Sequence, residues 1–393
     1  MFAASAGSTF DAMTTQPQSQ PLHVLIAGGG VAALEAMMAL RALAAERVRI
    51  TLLAPGDDFH YRPMAVAEPF AAGHAAHLPL ADIAADFDAD IVTGSLDRVV
   101  PADCVVVTDG GERIAYDALV IACGTRTSPS LEGALTIDDR DLGDTLRGLV
   151  QDVEEGYTHE IAFVVAHQPA WPLPLYELAL LMAQRAYDMN ARVELSVVSP
   201  ERAPLAQFGS AISAELTRLL RDAGIAFHGG RQATLEHGEL TLRPGGLGLR
   251  PGRVVALPLI EGPRIAGLPA DADGFICVNG FGEVRDLPGV YAAGDATTYP
   301  VKHGGIAAQQ ADVVAATIAA RLGLGVERQP LRPVLRAMLM TGGAPRFLEA
   351  QLVDAGVPQS SVSDVCPWET PGKIVARHLG PYLALGHPHA VGV

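Results

Sequence analysis

Cysteine is scarce in this chain, with four in 393 residues, at positions 104, 123, 277 and 366. They form neither a C-x-x-C pair nor the spacing of a zinc site or a disulfide framework, which suits a reducing compartment. Basic residues are short as well: 28 Lys+Arg face 44 Asp+Glu, for a net charge of -16. Such a surface repels a polyanion instead of releasing its counterions, so nucleic acid is set aside as a partner. No apolar run reaches the roughly 20 residues that cross a bilayer. The opening MFAASAGSTFDAMTTQPQSQP has neither the basic start nor the apolar core of a secretion signal. Residues 1–20 read as a disordered tail, and the expected location is cytoplasmic. His74 with His77, and His387 with His389, lack a third ligand, so no metal site is expected.

Apolar residues make up 49% of a chain too long for one ordinary core. In residues 22–54, LHVLIA reads as a buried strand, GGGVAA as a turn, LEAMMALRALAAE as an apolar-faced helix and VRITLLA as a second strand. Gly28, Gly30 and Ala33 match the G-x-G-x-x-G/A spacing. The first glycine makes the turn, the second admits backbone close to a pyrophosphate, and the small third residue packs helix on strand. With Val31 and Ala32 at the opening of the helix, these residues form a dinucleotide-binding loop. The acid that usually ends the second strand is missing, since Leu53-Ala54-Pro55 stands there; Asp57 or Asp58 reaching the ribose, or nothing, are the alternatives.

Residues 90–124 read as an antiparallel ribbon returning to a sheet, and residues 160–199 as a second strand-helix-strand. Residues 231–258 are β-like again, GVYAAGDA (289–296) is a strand entering a turn, and VKHGG opens a long helix. The stretch from Pro333 to the end, with seven prolines, reads as irregular. The expected class is α/β, with two nested Rossmann-like domains built on parallel sheets with β-ribbon insertions, plus a C-terminal extension. The boundaries are 1–20 for the tail, 21–135 and 259–325 for the two parts of the first dinucleotide-binding domain, 136–258 for a second, degenerate dinucleotide-binding-like domain, and 326–393 for the extension.

Two further segments, together with GGGVAA, select the dinucleotide. Tyr116-Asp117-Ala118-Leu119-Val120-Ile121-Ala122-Cys123-Gly124-Thr125 resembles the YDxLVIATG segment of two-dinucleotide-domain flavoproteins. Gly289 to Asp295, GVYAAGD, resembles their late motif, whose aspartate binds the FAD ribityl chain. Tyr61-Arg62-Pro63 and Val301-Lys302-His303-Gly304-Gly305 resemble the branch of sulfide:quinone oxidoreductases, flavocytochrome c sulfide dehydrogenases and type II NADH dehydrogenases. The likeness covers about residues 22–325. It implies FAD as the cofactor, held by Gly28, Gly30, Val31, Ala32, Ala33, Arg62, Ala122, Gly124, Gly294, Asp295 and Gly305. It also implies that Lys302 and the helix start near Gly305 face the flavin N1/O2 edge, where a cation and a helix dipole stabilise the charge of the reduced form. A solvated surface lysine is the plain alternative.

In relatives that oxidise NADH, the second unit carries its own glycine fingerprint. Here Ala166-His167-Gln168-Pro169-Ala170-Trp171-Pro172-Leu173-Pro174 supplies prolines without amide hydrogens and a bulky tryptophan, a poor pyrophosphate cradle. By the resemblance Glu177 lies near the flavin; by its position alone it is a carboxylate favoured in a first helical turn. Cys123 reads as a small buried residue. Cys366 is the one cysteine of the extension that could approach a flavin, with a structural thiol as the alternative. Lys302, Glu177 and Cys366 are thus the candidate catalytic residues. Lys373–Leu383 is mildly amphipathic but broken by Gly380-Pro381. Peripheral contact with the inner face of the membrane, burial in the fold and a homodimer are all open for it.

The implied activity is FAD-dependent electron transfer from a small-molecule donor to an acceptor, with quinone foremost. A NAD(P)H dehydrogenase with an atypical nicotinamide site and a non-catalytic FAD-binding redox sensor or assembly protein are the alternatives.

Overall fold

The computed structural model describes residues 20–137, 142–167, 171–353, 358–370 and 372–386. Two five-stranded parallel sheets carry the architecture. The first runs in the order Val290–Ala292, Ala118–Ile121, Leu22–Ala27, Val48–Ala54, Ala89–Thr93. Leu22–Ala27 is its central strand, and Val24, Leu25 and Ile26 have no exposed surface. Both faces of a parallel sheet are covered, so a central strand is a continuous apolar run and not an alternating one. The second sheet runs Leu135–Thr136, Arg253–Ala256, Glu160–Val164, Glu194–Ser199, Ala226–Gly229. A two-stranded antiparallel link, Arg126–Ser128 with Leu259–Glu261, lies in the connections between them.

Helix Val31–Ala44 and helix Gly304–Arg321 pack side by side on the first sheet, and their alanines permit close approach: Ala32, Ala33, Ala36, Ala39, Ala311 and Ala315 are all buried. The β ribbon spans Leu96–Val100, Val105–Thr108 and Arg113–Ala115. It is shorter than the sequence reading, because Ala89–Thr93 pairs in parallel with Val48–Ala54 as the edge strand of the first sheet.

The C-terminal region is more regular than its prolines suggest. Val334–Leu339, Arg346–Gln351 and Gln359–Ser363 form an antiparallel sheet, and Leu379–Gly386 is a helix. Pro333, Pro345 and Pro358 each sit immediately before one of these strands, where no ladder amide is forfeited. Pro381 is the third residue of the helix, within the turn whose amides have no helical acceptor, so Gly380-Pro381 opens this helix and does not break it. Residues 1–19 of the expected tail, Gln168–Ala170 of the second loop, and His387 and His389 lie outside the described residues.

Candidate functional site

The strands Leu22–Ala27, Ala118–Ile121 and Val290–Ala292 run parallel, so the loops after each emerge at one edge of the first sheet, where open α/β sheets bind their ligands. Gly28 has φ +141°, and a Cβ there would lie 2.2 Å from the carbonyl oxygen of Ala122. Only glycine lets the loop back onto the neighbouring strand end. Gly30 differs, since a Cβ there would meet no protein atom within 4 Å. The space beside it is open to a ligand. Gly30 is also the N-cap of helix Val31–Ala44, with no side-chain cap and no acid in the first turn, so the helix presents free amides and the positive end of its dipole there.

The late motif closes on the same place. Gly294, at φ +77°, would bring a Cβ within 3.0 Å of Ala32 and 3.3 Å of Ala307, so the first loop, the GD turn and the long helix meet there. Gln310 fixes the turn by accepting the Gly294 N–H at 2.6 Å. Asp295 is half-buried beside it. An open glycine loop, a polar turn and a second helix start on one edge fit a dinucleotide such as FAD. Arg62 is exposed at the start of the short helical segment Arg62–Phe70. Cys123 is enclosed on most sides yet keeps exposed surface, as a residue on the floor of a cleft does, and burial pushes its thiol up to about 11. It is not the fully buried residue that its strand-end position suggests.

His303 caps helix Gly304–Arg321, its Nδ1 accepting the Gly305 N–H at 3.1 Å. The tautomer that allows this carries its proton on Nε2. Burial, helped by the charge of Lys373, lowers the imidazole to about 4, so His303 is neutral at physiological pH. Lys302 is half-buried: Nζ donates to the Thr297 carbonyl at 2.5 Å and lies 3.9 Å from the centre of the Phe275 ring. Burial lowers it to about 8, against the opposing pull of Asp295 and Asp271, so it remains mostly charged at neutral pH.

A segment of the extension clasps this region. Ile374 N donates to the Tyr61 hydroxyl at 3.0 Å, and the Ile374 side chain leaves no room for a Cβ on Gly304. The amides of His378 and Leu379 donate to the carboxylate of Glu35, a fully buried residue of the first helix, at 2.9 and 2.7 Å. Asp312 stands beside Glu35, and burial together with that charge raises it to about 7. Lys373 donates to both oxygens of Glu177, at 2.7 and 2.6 Å, and Met340 N adds a third bond at 2.8 Å. Glu177 is 1% exposed and the Lys373 side chain 5%, so each charge depends on the other. Burial raises the Glu177 carboxyl and the Lys373 ammonium opposes that rise. Cys366 lies elsewhere in the extension, its Sγ 3.4 Å from the Trp368 carbonyl, with Trp368 edge-on to Phe347 of the C-terminal sheet.

The second unit presents a different edge. Helix Leu173–Asp188 starts from Pro172 without a side-chain cap. Trp171 packs edge-on to Phe208 at 5.2 Å and to His303 at 4.8 Å, filling the space between this loop and the start of the long helix. Two polar residues here escape the sequence reading. Tyr176 donates to Glu201 at 2.8 Å, both buried, with Ser199 Oγ at 3.3 Å from the same carboxylate oxygen. The signal for Glu201 is its place two residues after a buried β run, SVVS. Lys373 had none, being one lysine in an irregular stretch.

Residues 16–160 match the family model of the pyridine nucleotide-disulphide oxidoreductases. That match covers the first dinucleotide unit only, and with the glycine cradle and the two parallel sheets it supports an FAD-dependent, pyridine nucleotide-disulphide oxidoreductase-like flavoprotein. Among solved structures its fold is similar to the sulfide:quinone oxidoreductase of the hyperthermophilic bacterium Aquifex aeolicus, with TM-score 0.79 and 19% identity over 87% of each chain. It is also similar to a ferredoxin reductase from Rhodopseudomonas palustris, with TM-score 0.66 and 21% identity over 85% of this chain and 83% of that one. No curated protein matches the chain. Among the described residues, no helix is long and apolar enough to cross a membrane.

Proposed function

We propose that the protein passes electrons through FAD from a small-molecule donor other than NAD(P)H to a quinone. Bound FAD supplies the two-electron chemistry. The chain's own contribution is to hold the dinucleotide on the open glycine edge and to keep positive charge beside it, from the Lys302 ammonium and the amides that begin helix Gly304–Arg321. Arg62, Ala122, Gly124, Asp295 and Gly305 belong to the same proposed cofactor site. The observation that carries the choice of donor is Trp171, wedged between Phe208 and His303 where a nicotinamide dinucleotide would need a backbone cradle. A thiol relay from sulfide has little support, because Cys104, Cys123, Cys277 and Cys366 are all free and none lies in the second loop. The quinone acceptor is supported by the fold likeness to a sulfide:quinone oxidoreductase along most of both chains.

Anaerobic stopped-flow spectroscopy of the flavin band tests this. The pre-reduced protein should be reoxidised rapidly by a soluble quinone, and NADH or NADPH should reduce it more slowly than ordinary turnover, roughly 1 to 1000 per second. Reduction by NADH within that range makes the protein an NAD(P)H dehydrogenase. A flavin inert to quinone leaves a redox sensor or assembly protein.

A further inference from the structure

The second unit has an acid that the first lacks. Glu201 stands two residues beyond strand Glu194–Ser199, at the carboxyl edge where a dinucleotide fold places the carboxylate that binds a ribose diol. The residue is 8% exposed: Oε2 accepts from Tyr176 and Ser199, the Leu205 amide approaches the carboxylate, and Oε1 is buried without a well-formed hydrogen bond. Leaving a buried carboxylate oxygen unpaired is unfavourable, and native folds seldom do so without reason. Burial raises both the Glu201 carboxyl and the Tyr176 phenol.

Tyr176 belongs to the first turn of helix Leu173–Asp188, the helix that follows strand Glu160–Val164. Its hydroxyl therefore reaches from the start of that helix to the end of the neighbouring parallel strand, which is the span a nucleotide ribose crosses in an open crevice of this topology. A phenol and a ribose hydroxyl are donors of the same kind. We infer that Tyr176 seals this second crevice from within, its hydroxyl standing on Glu201 in place of a ribose hydroxyl, so that the pair is what excludes adenine nucleosides from the site. The inference rests on the reading that NAD(P)H is not the donor, and it names the residues that enforce it.

Replacing the ring should reopen the place. Tyr176→Ala removes it altogether, and Tyr176→Leu keeps apolar bulk toward Phe227 while removing the phenol. Adenosine is the probe, because it carries the diol and needs no phosphate cradle. In calorimetric titration of the FAD-loaded protein, both variants should bind adenosine at least tenfold more tightly than the parent, and adding Glu201→Gln should abolish the gain. Flavin content and melting temperature establish that each variant is folded; if the alanine variant is not, the leucine variant decides. A folded variant that binds adenosine no better than the parent overturns the inference, as does a gain that survives Glu201→Gln. Both outcomes are read on oxidised flavin without turnover, so they are independent of which donor reduces the protein.

Discussion

Position by position, the two strand-helix-strand units make opposite choices. After its first strand, the unit at 22–54 places Gly28 and Gly30 and begins its helix Val31-Ala32-Ala33. After its own first strand, the unit at 160–199 places Trp171 and Pro172 and begins Leu173-Pro174-Leu175. The third helical residue is buried in both, a small alanine in the first unit and a larger leucine in the second. The end of the second strand reverses the contrast: Leu53-Ala54-Pro55 carries no acid in the first unit, whereas Glu201 follows the strand in the second. The first unit keeps an open glycine loop and has no acid at its strand end; the second has an acid there and Trp171 packed beside its helix start. Parallel strands and a crossover helix are therefore compatible with either outcome, and a handful of residues at the carboxyl edge decides what can enter.

Substitution of Gly30 attacks that contrast most directly. A side chain at this position starts in open space, so Gly30→Val should fold but put its branches where backbone faces phosphate, and the variant should purify nearly colourless. A yellow, fully loaded Gly30→Val protein would put the cofactor in the wrong unit. Next in size is Lys373→Met, which strands the buried Glu177 carboxylate and should lower unfolding free energy by about 3 to 5 kcal/mol in denaturant titration. A loss below about 1 kcal/mol would show that the second unit does not depend on the extension.

The smallest effect belongs to Lys302. If its ammonium faces the pyrimidine edge of the flavin, it stabilises the reduced form. Lys302→Met should then leave oxidised FAD bound while the two-electron potential falls by some tens of millivolts, about 30 mV for each 1.4 kcal/mol. The folded amine titrates at about 8, below its ordinary range, so the potential gap between the two proteins should be widest below that pH and shrink above it. Equal potentials in a spectroscopic redox titration leave only the helix start for this role.

The sheet strands, the cradle glycines and the GD turn were legible because each is local: an apolar run, a fixed spacing or a short motif within about ten residues. Cys123 misled because a strand-end position reads as buried, although the residue keeps exposed surface. The C-terminal sheet was hidden by its prolines, which mark strand starts as readily as disorder. Glu177 could be found by likeness but its partner could not, since Lys373 is 196 residues away and only the folded chain brings the two together. The same holds for Tyr176 and Glu201, which meet across a sheet edge that no sequence window contains.

The clasp at residues 373–379 also sets an order in time. Its anchors are Glu35, Tyr61 and Glu177, so during synthesis these three wait while two sheets assemble around them. Contacts of such long range form late, because the chain between them must be ordered first. Until Lys373 arrives, the Glu177 carboxyl has no countercharge and must stay hydrated or take up a proton. The interior of the second unit is thus left unfinished while 196 further residues are made, which leaves the nascent chain open to proteases at a place that the mature protein closes with a buried ion pair.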